Sequence, residues 1–96
     1  MHGMSVADDI IQQAERVLKE NPGKQLKEIH LKVGRFMFPS EEELLSAYRF
    51  LVKDSPVRSA ELKIQYVDGH NCVFEKVVFE DGEDGVEPGQ NQGAGH

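Results

Sequence analysis

The residues with the most chemical potential stand at the start of the chain, MHGMS, where His2 follows Met1 directly. With Met1 as a free terminus, its amine, the amide nitrogen of His2 and the His2 Nδ1 can close fused five- and six-membered chelate rings. The amine has a reference pKa of about 7.7–8.0 and imidazole one of about 6.5, so a metal ion can displace protons from both at neutral pH. A nitrogen set that includes a deprotonated amide suits a square-planar ion, Ni(II) or Cu(II). Gly3 adds a further backbone amide, and a fourth donor has to come from elsewhere in the fold. A bulky residue at position 2 also shields Met1 from methionine aminopeptidase, which keeps the frame intact. The bland alternative is an ordinary terminal histidine.

The remaining candidates carry less. His70 falls in a turn and is either a remote metal ligand or a plain turn residue, while His30 belongs to the polar face of a strand. His96 ends an acidic tail and supports no argument. Cys72, in a Val/Phe-rich run, reads as a small buried hydrophobe rather than a nucleophile. A single cysteine excludes an internal disulfide and any multi-cysteine zinc site, so no zinc is expected. Phe36, Met37 and Phe38 form an apolar tip, either a lid on the core or a partner-docking surface. No Ser/His/Asp or Cys/His arrangement and no phosphate-cradling glycine loop is present, and an enzyme is not expected.

The chain around these residues has 96 residues, enough for one small domain with a modest core. Its net charge of −6 is uneven: residues 80–96 hold Glu80, Asp81, Glu83, Asp84 and Glu87 with no Lys or Arg, so the rest is close to neutral. Without a basic surplus, duplex nucleic acid is a poor partner. No apolar run approaches the ~20 residues of a membrane span. The first residues lack the basic and apolar regions of a secretory signal, and the expected location is the cytoplasm.

Helical spacing of Val6, Ile10, Ile11, Ala14, Val17 and Leu18 predicts a first helix over about residues 5–20. Ser5 and Asp8 would form its capping box, Met1 to Met4 its lead-in, and Asn21-Pro22-Gly23 its stop. Ile29, Leu31 and Val33 alternate with Glu28, His30 and Lys32 in a half-buried strand that ends at Gly34. Ser40-Glu41-Glu42-Glu43 caps a second amphipathic helix carrying Leu44, Leu45, Tyr48, Leu51 and Val52, which ends near Asp54. A second strand carries Ala60, Leu62, Ile64 and Tyr66; Asp68-Gly69 is a hairpin signal, and Cys72 to Phe79 make the third strand. That strand places Val73, Val77 and Phe79 on one side and Phe74 and Val78 on the other, apolar on both faces. The expected architecture is an α/β (α+β) two-layer sandwich in the order α-β-α-β-β, with two helices on one face of a three-stranded sheet. Residues 1–80 form the domain, and residues 81–96 a disordered acidic, Gly-rich tail.

Taken in order, MH-x-MS-x-A, EIHLKVGRF, the Ser-Glu-Glu helix and AYRFLVKDSPVRSAELKI resemble the nickel-binding domain of the HypA/HybF hydrogenase-maturation proteins over residues 1 to about 67. The resemblance rests on Met1-His2, on Val33-Gly34 closing a strand, and on the A-x-L-x-I strand of Ala60, Leu62 and Ile64. It implies that Met1 and His2 bind nickel for delivery to a [NiFe] hydrogenase or a urease, with a nickel-handling GTPase or a hydrogenase large subunit as partner. The sequence departs from the family at two points. Gly3 stands where the family has Glu, and DGHN stands where the family inserts a zinc domain with two CxxC pairs. The other reading is an adaptor that keeps this fold without metal trafficking, docking proteins or a second copy of itself.

Overall fold

The computed structural model describes residues 2–36 and 40–86, with side chains from residue 4 onward. Met37, Phe38, His96 and the tail from residue 87 therefore lie outside the described residues.

Helix α1 spans His2–Lys19, a turn earlier than predicted, so Ser5 lies inside the helix and is no cap. Met4 accounts for the difference. It packs on the core in the same stripe as Ala7, Ile10, Ile11, Ala14 and Val17, and helical spacing brings it there only if residues 4–7 are already helical. A serine cap offers about 1 kcal/mol, whereas apolar burial contributes ~25 cal/mol per Å². The helix extends accordingly. At its other end Asn21 donates its side-chain amide to the Val17 carbonyl at 2.8 Å, and Gly23 takes a positive φ of 86°.

Strand β1 (Leu26–Gly34) leads to α2 (Glu41–Leu51), a 3-10 turn over Val52–Asp54, then β2 (Glu61–Val67) and β3 (Cys72–Phe79). Ser40 caps α2 as expected, accepting from the Glu43 N–H at 3.3 Å, with Glu41, Glu42 and Glu43 in the first turn. A fourth strand, β4 (Asp84–Gly85), pairs with Val77 and Val78 of β3 and makes the sheet four-stranded rather than three-stranded. Residues 81–85 are thus held against the sheet. The Phe79 N–H donates to the Glu83 carbonyl at 2.8 Å, Gly82 sits at φ 90°, and Lys24 bridges Asp81 and Glu83 at 3.3 and 2.9 Å.

The sheet order is β2-β1-β3-β4, with β1 parallel to β2 and antiparallel to β3. Hence β2 and β3 are not a hairpin: β1 lies between them, and residues 68–71 arch over its end. The predicted two-faced apolar strand is also corrected. Leu31 pairs with Phe74 while His30 pairs with Lys76, so Glu75 is an extra residue, a β-bulge. The bulge brings Phe74 onto the buried face beside Val77 and Phe79, and leaves Val73 49% exposed. Lys27 plays the same part in β1, where Leu26 pairs with Phe79 and Glu28 with Val78; Leu26 thereby joins Ile29, Leu31 and Val33 in the core.

Both helices cover the buried face of the sheet, α1 against α2 and β3, and α2 along β2. The opposite face carries Glu28, His30 and Lys32 from β1 with Lys63 and Lys76 beside them. There the Glu28 carboxylate lies 2.8 Å from the His30 Nε2, and this hydrogen bond holds the Glu28 carboxyl below its ordinary pKa.

Candidate metal centre

Topology decides what His2 can meet. A Cβ placed on Gly85 would touch both Phe79 and Val17, so the C-terminal ends of α1 and β3 lie together. From Val17 back to His2 the helix rises at about 1.5 Å per residue, and from Phe79 back to Cys72 the strand rises at about 3.3 Å per residue. Both runs come to about 22–23 Å. Run alongside β3, α1 would start level with Cys72, at the end of the molecule that holds the arch and the end of β1.

That end is firmly built. The Gly34 N–H donates to the Asn71 carbonyl at 2.8 Å, Arg35 N–H to Val67 at 2.9 Å and Phe36 N–H to Gly69 at 3.0 Å, pinning the arch to β1. The Arg35 guanidinium also pairs with Asp68. A Cβ on Gly34 would lie 2.9 Å from the His70 backbone nitrogen, so only glycine lets the arch pass this closely. On the arch, the His70 ring lies 6.0 Å from the Phe36 ring, and its Nδ1 is 3.3 Å from the Phe36 carbonyl oxygen. With Nδ1 as the donor to that carbonyl, Nε2 keeps its lone pair on an exposed side chain, the form in which imidazole binds metals.

Cys72, the first residue of β3, is half-buried against the core, and burial raises its thiol pKa. Phe36 is 66% exposed and so is no lid on the core. His30 lies on the outer sheet face, bonded to Glu28, away from the arch. Among the described residues no group of three or more His, Cys, Asp or Glu side chains could hold a metal ion. Two features of this end escaped sequence reasoning. One is the Arg35–Asp68 pair, which joins residues far apart in the chain without a local signal. The other is the service of Gly34 as the floor of the arch, hinted at only by a glycine closing an otherwise apolar strand.

The fold is a small two-layer α/β domain, with the arch pinned to the end of β1 and Phe36 exposed beside it. The model of the HypA family, described as hydrogenase/urease nickel incorporation metallochaperones, matches residues 1–75, and the chain belongs to that family. The match runs from Met1 through the arch into β3 and includes the stretch on which the resemblance rested. By that description the family consists of metallochaperones that act in nickel incorporation into hydrogenase or urease. No match was found among curated proteins. Among the described residues, no helix is long and apolar enough to cross a membrane.

Proposed function

We infer that this chain binds Ni(II) as cargo through the Met1 amine, the His2 amide nitrogen and Nδ1, with His70 Nε2 as the fourth donor and the Gly3 backbone amide beside the frame. The observation that carries the reading is that α1 begins at His2. Backbone N–H groups in the first turn of a helix have no intrahelical acceptor. The His2 amide can therefore lose its proton to a metal without breaking a helix hydrogen bond. The positive end of the helix dipole favours that deprotonation and the anionic nitrogen it leaves. His70 is exposed on the pinned arch, with its Nδ1 against the Phe36 carbonyl. The single cysteine of the chain supports a nickel domain that works without a zinc module.

The nickel would pass to a hydrogenase- or urease-type enzyme, with a nickel-handling GTPase or the hydrogenase large subunit docking at the exposed Phe36 and its neighbours Met37 and Phe38. Residues 1–80 are the working domain in this reading, and residues 81–96 are its acidic tail, whose first residues add β4 to the sheet. Isothermal titration of Ni(II) into protein with a native terminus, into His2→Ala and into a form extended by several residues before Met1, which carries the free amine out of chelating reach of His2, tests it. Tight 1:1 binding only by the native form supports the chelate; equal binding by all three, or none by the native form, overturns it. His70→Ala should then weaken binding without abolishing it, since three nitrogens of the frame remain.

A further inference from the structure

We propose that the free edge of β2 is a self-pairing surface on which two copies of this chain join their sheets about a two-fold axis at Ile64. This goes beyond the nickel reading and does not depend on it. Three observations converge on a second copy as the occupant.

The first is the edge itself. β2 is a terminal strand of the sheet among the described residues, and its outer side has no strand partner there. Val67 accepts from the Arg35 N–H, so its carbonyl points at β1. Backbone groups alternate along a strand, and Leu62, Ile64 and Tyr66 therefore aim their N–H and C=O groups outward. An antiparallel copy centred on Ile64 places Ile64 opposite Ile64 of the second copy and Leu62 opposite its Tyr66. Both are hydrogen-bonded pairs that satisfy every outward group of the strand. All seven residues of β2 are used in this register. On the outer face it sets Lys63 against Gln65, whereas a shift that centres on Lys63 would set two lysines against each other.

The second observation is the groove beside the edge. Leu45, Tyr48, Arg49, Leu62 and Ile64 line an open hollow of about 290 Å³ between α2 and β2. Its apolar floor stops at the strand edge, with Tyr66 46% exposed.

The third is charge. Glu41, Leu45 and Arg49 recur at every fourth residue of α2, on the side facing this groove, and Glu42 joins them. Glu41 lies beside the Tyr66 hydroxyl, where its carboxylate holds that phenol above its ordinary pKa. Arg49 lies beside Leu62 and has no ion-pair partner among the described residues. The axis that places Leu62 opposite Tyr66 of the second copy also runs the two α2 helices antiparallel. It brings Arg49 of each copy toward Glu41 and Glu42 of the other, with Leu45 near the axis. A patch that is acidic at one end, apolar in the middle and basic at the other is complementary to itself under this rotation, which an isologous interface requires.

Sedimentation equilibrium of the full chain in EDTA, from about 10 μM to about 1 mM at low salt, tests the proposal. A concentration-dependent dimer that weakens with added salt is expected. Arg49→Glu should raise its dissociation constant at least about tenfold, and the charge-swapped chain Glu41→Lys, Glu42→Lys, Arg49→Glu should recover it. In a Cys72→Ser background, Lys63→Cys with Gln65→Cys should cross-link on mild oxidation, and Lys63→Cys alone should not. A monomer throughout the range overturns the proposal, as does a dimer indifferent to Arg49→Glu. Cross-linking by Lys63→Cys alone rules out the Ile64 axis.

Discussion

Gly34 and Gly69 are in backbone contact across the end of β1: a Cβ on Gly34 would fall 2.6 Å from the carbonyl carbon of Gly69. No side-chain torsion can relieve such an approach, because both partners are main chain. Gly34→Ala must lift the arch, and with it the Gly34 N–H to Asn71 bond that ties β1 to the start of β3. We expect a loss of about 2–4 kcal/mol in denaturant unfolding, in the range of overpacking combined with a strained hydrogen bond. Proton–deuterium exchange should quicken first at Gly34, Arg35 and Phe36. Gly69→Ala is a different perturbation: Gly69 has open space around it but a φ of 131°, so its cost is conformational and the arch need not move.

Ser55 is buried, and it ties the segment after α2 to α1. Its hydroxyl donates to Glu15 at 2.7 Å and accepts from the Val57 N–H at 3.1 Å, while its carbonyl accepts from the Arg58 guanidinium at 2.9 Å. Ser55→Ala strips the Val57 N–H and a Glu15 oxygen of partners. A loss of about 1–3 kcal/mol is expected by urea unfolding. Glu15→Gln, which leaves an acceptor in place, should cost less. Equal losses would show that the charge of Glu15, and not the hydroxyl bond, carries the link.

How much of this was legible beforehand follows how local each signal is. The Ser40 cap, the stop at Asn21-Pro22-Gly23 and the alternation of β1 depend on neighbours in the chain, and all three stand as read. The start of α1 was misjudged because a good cap at Ser5 is visible in sequence, whereas the core contact of Met4 exists only after folding. Asp68-Gly69 is a turn in either topology; nothing in four residues tells whether the strands they join touch or admit a third between them. The bulges at Lys27 and Glu75 defeat alternation outright, since one added residue exchanges the faces of everything beyond it. Of the metal centre, its proposed residues were legible in MHG and DGHN, but their common end came from the level of α1 against β3. The link from Glu15 to Ser55 had no sequence signature.

Tyr48 presents a buried hydroxyl with no hydrogen-bond partner among the described residues, and burial pushes its pKa up to about 12. Removing the oxygen removes an unsatisfied polar group while keeping the ring in place. Tyr48→Phe should therefore stabilise the fold by about 1 kcal/mol, raising Tm by several degrees in a chain of this size. The pH dependence has a definite sign. A phenol whose folded pKa exceeds its unfolded value of 10.0 contributes stability in full below about pH 10 and loses it as pH rises toward 12. The wild type should lose stability over that window, and Tyr48→Phe should lose less. Absorbance titration of tyrosinate in the folded protein would show the late-ionising phenol disappear with the substitution. If Tyr48→Phe instead lowers Tm, the hydroxyl has a partner in solution.

The proposed chelate also fixes how many protons leave when nickel enters. At pH 7 the Met1 amine, with a reference pKa of about 7.7–8.0, is mostly protonated, and the His2 amide is wholly so. A metal that takes both nitrogens releases about two protons per ion, with a fraction more from imidazole. Binding through imidazoles alone, such as His70 with His30, would release well under one. Titrations in buffers of different ionisation enthalpy count these protons directly, and the apparent affinity should rise about a hundredfold per pH unit below neutrality. Extending the chain by several residues before Met1 converts the amine to an amide and moves the free terminus out of reach of His2. The count and the steep pH dependence should then both change. A release below one proton with the native terminus would move the nickel off the Met1-His2 frame.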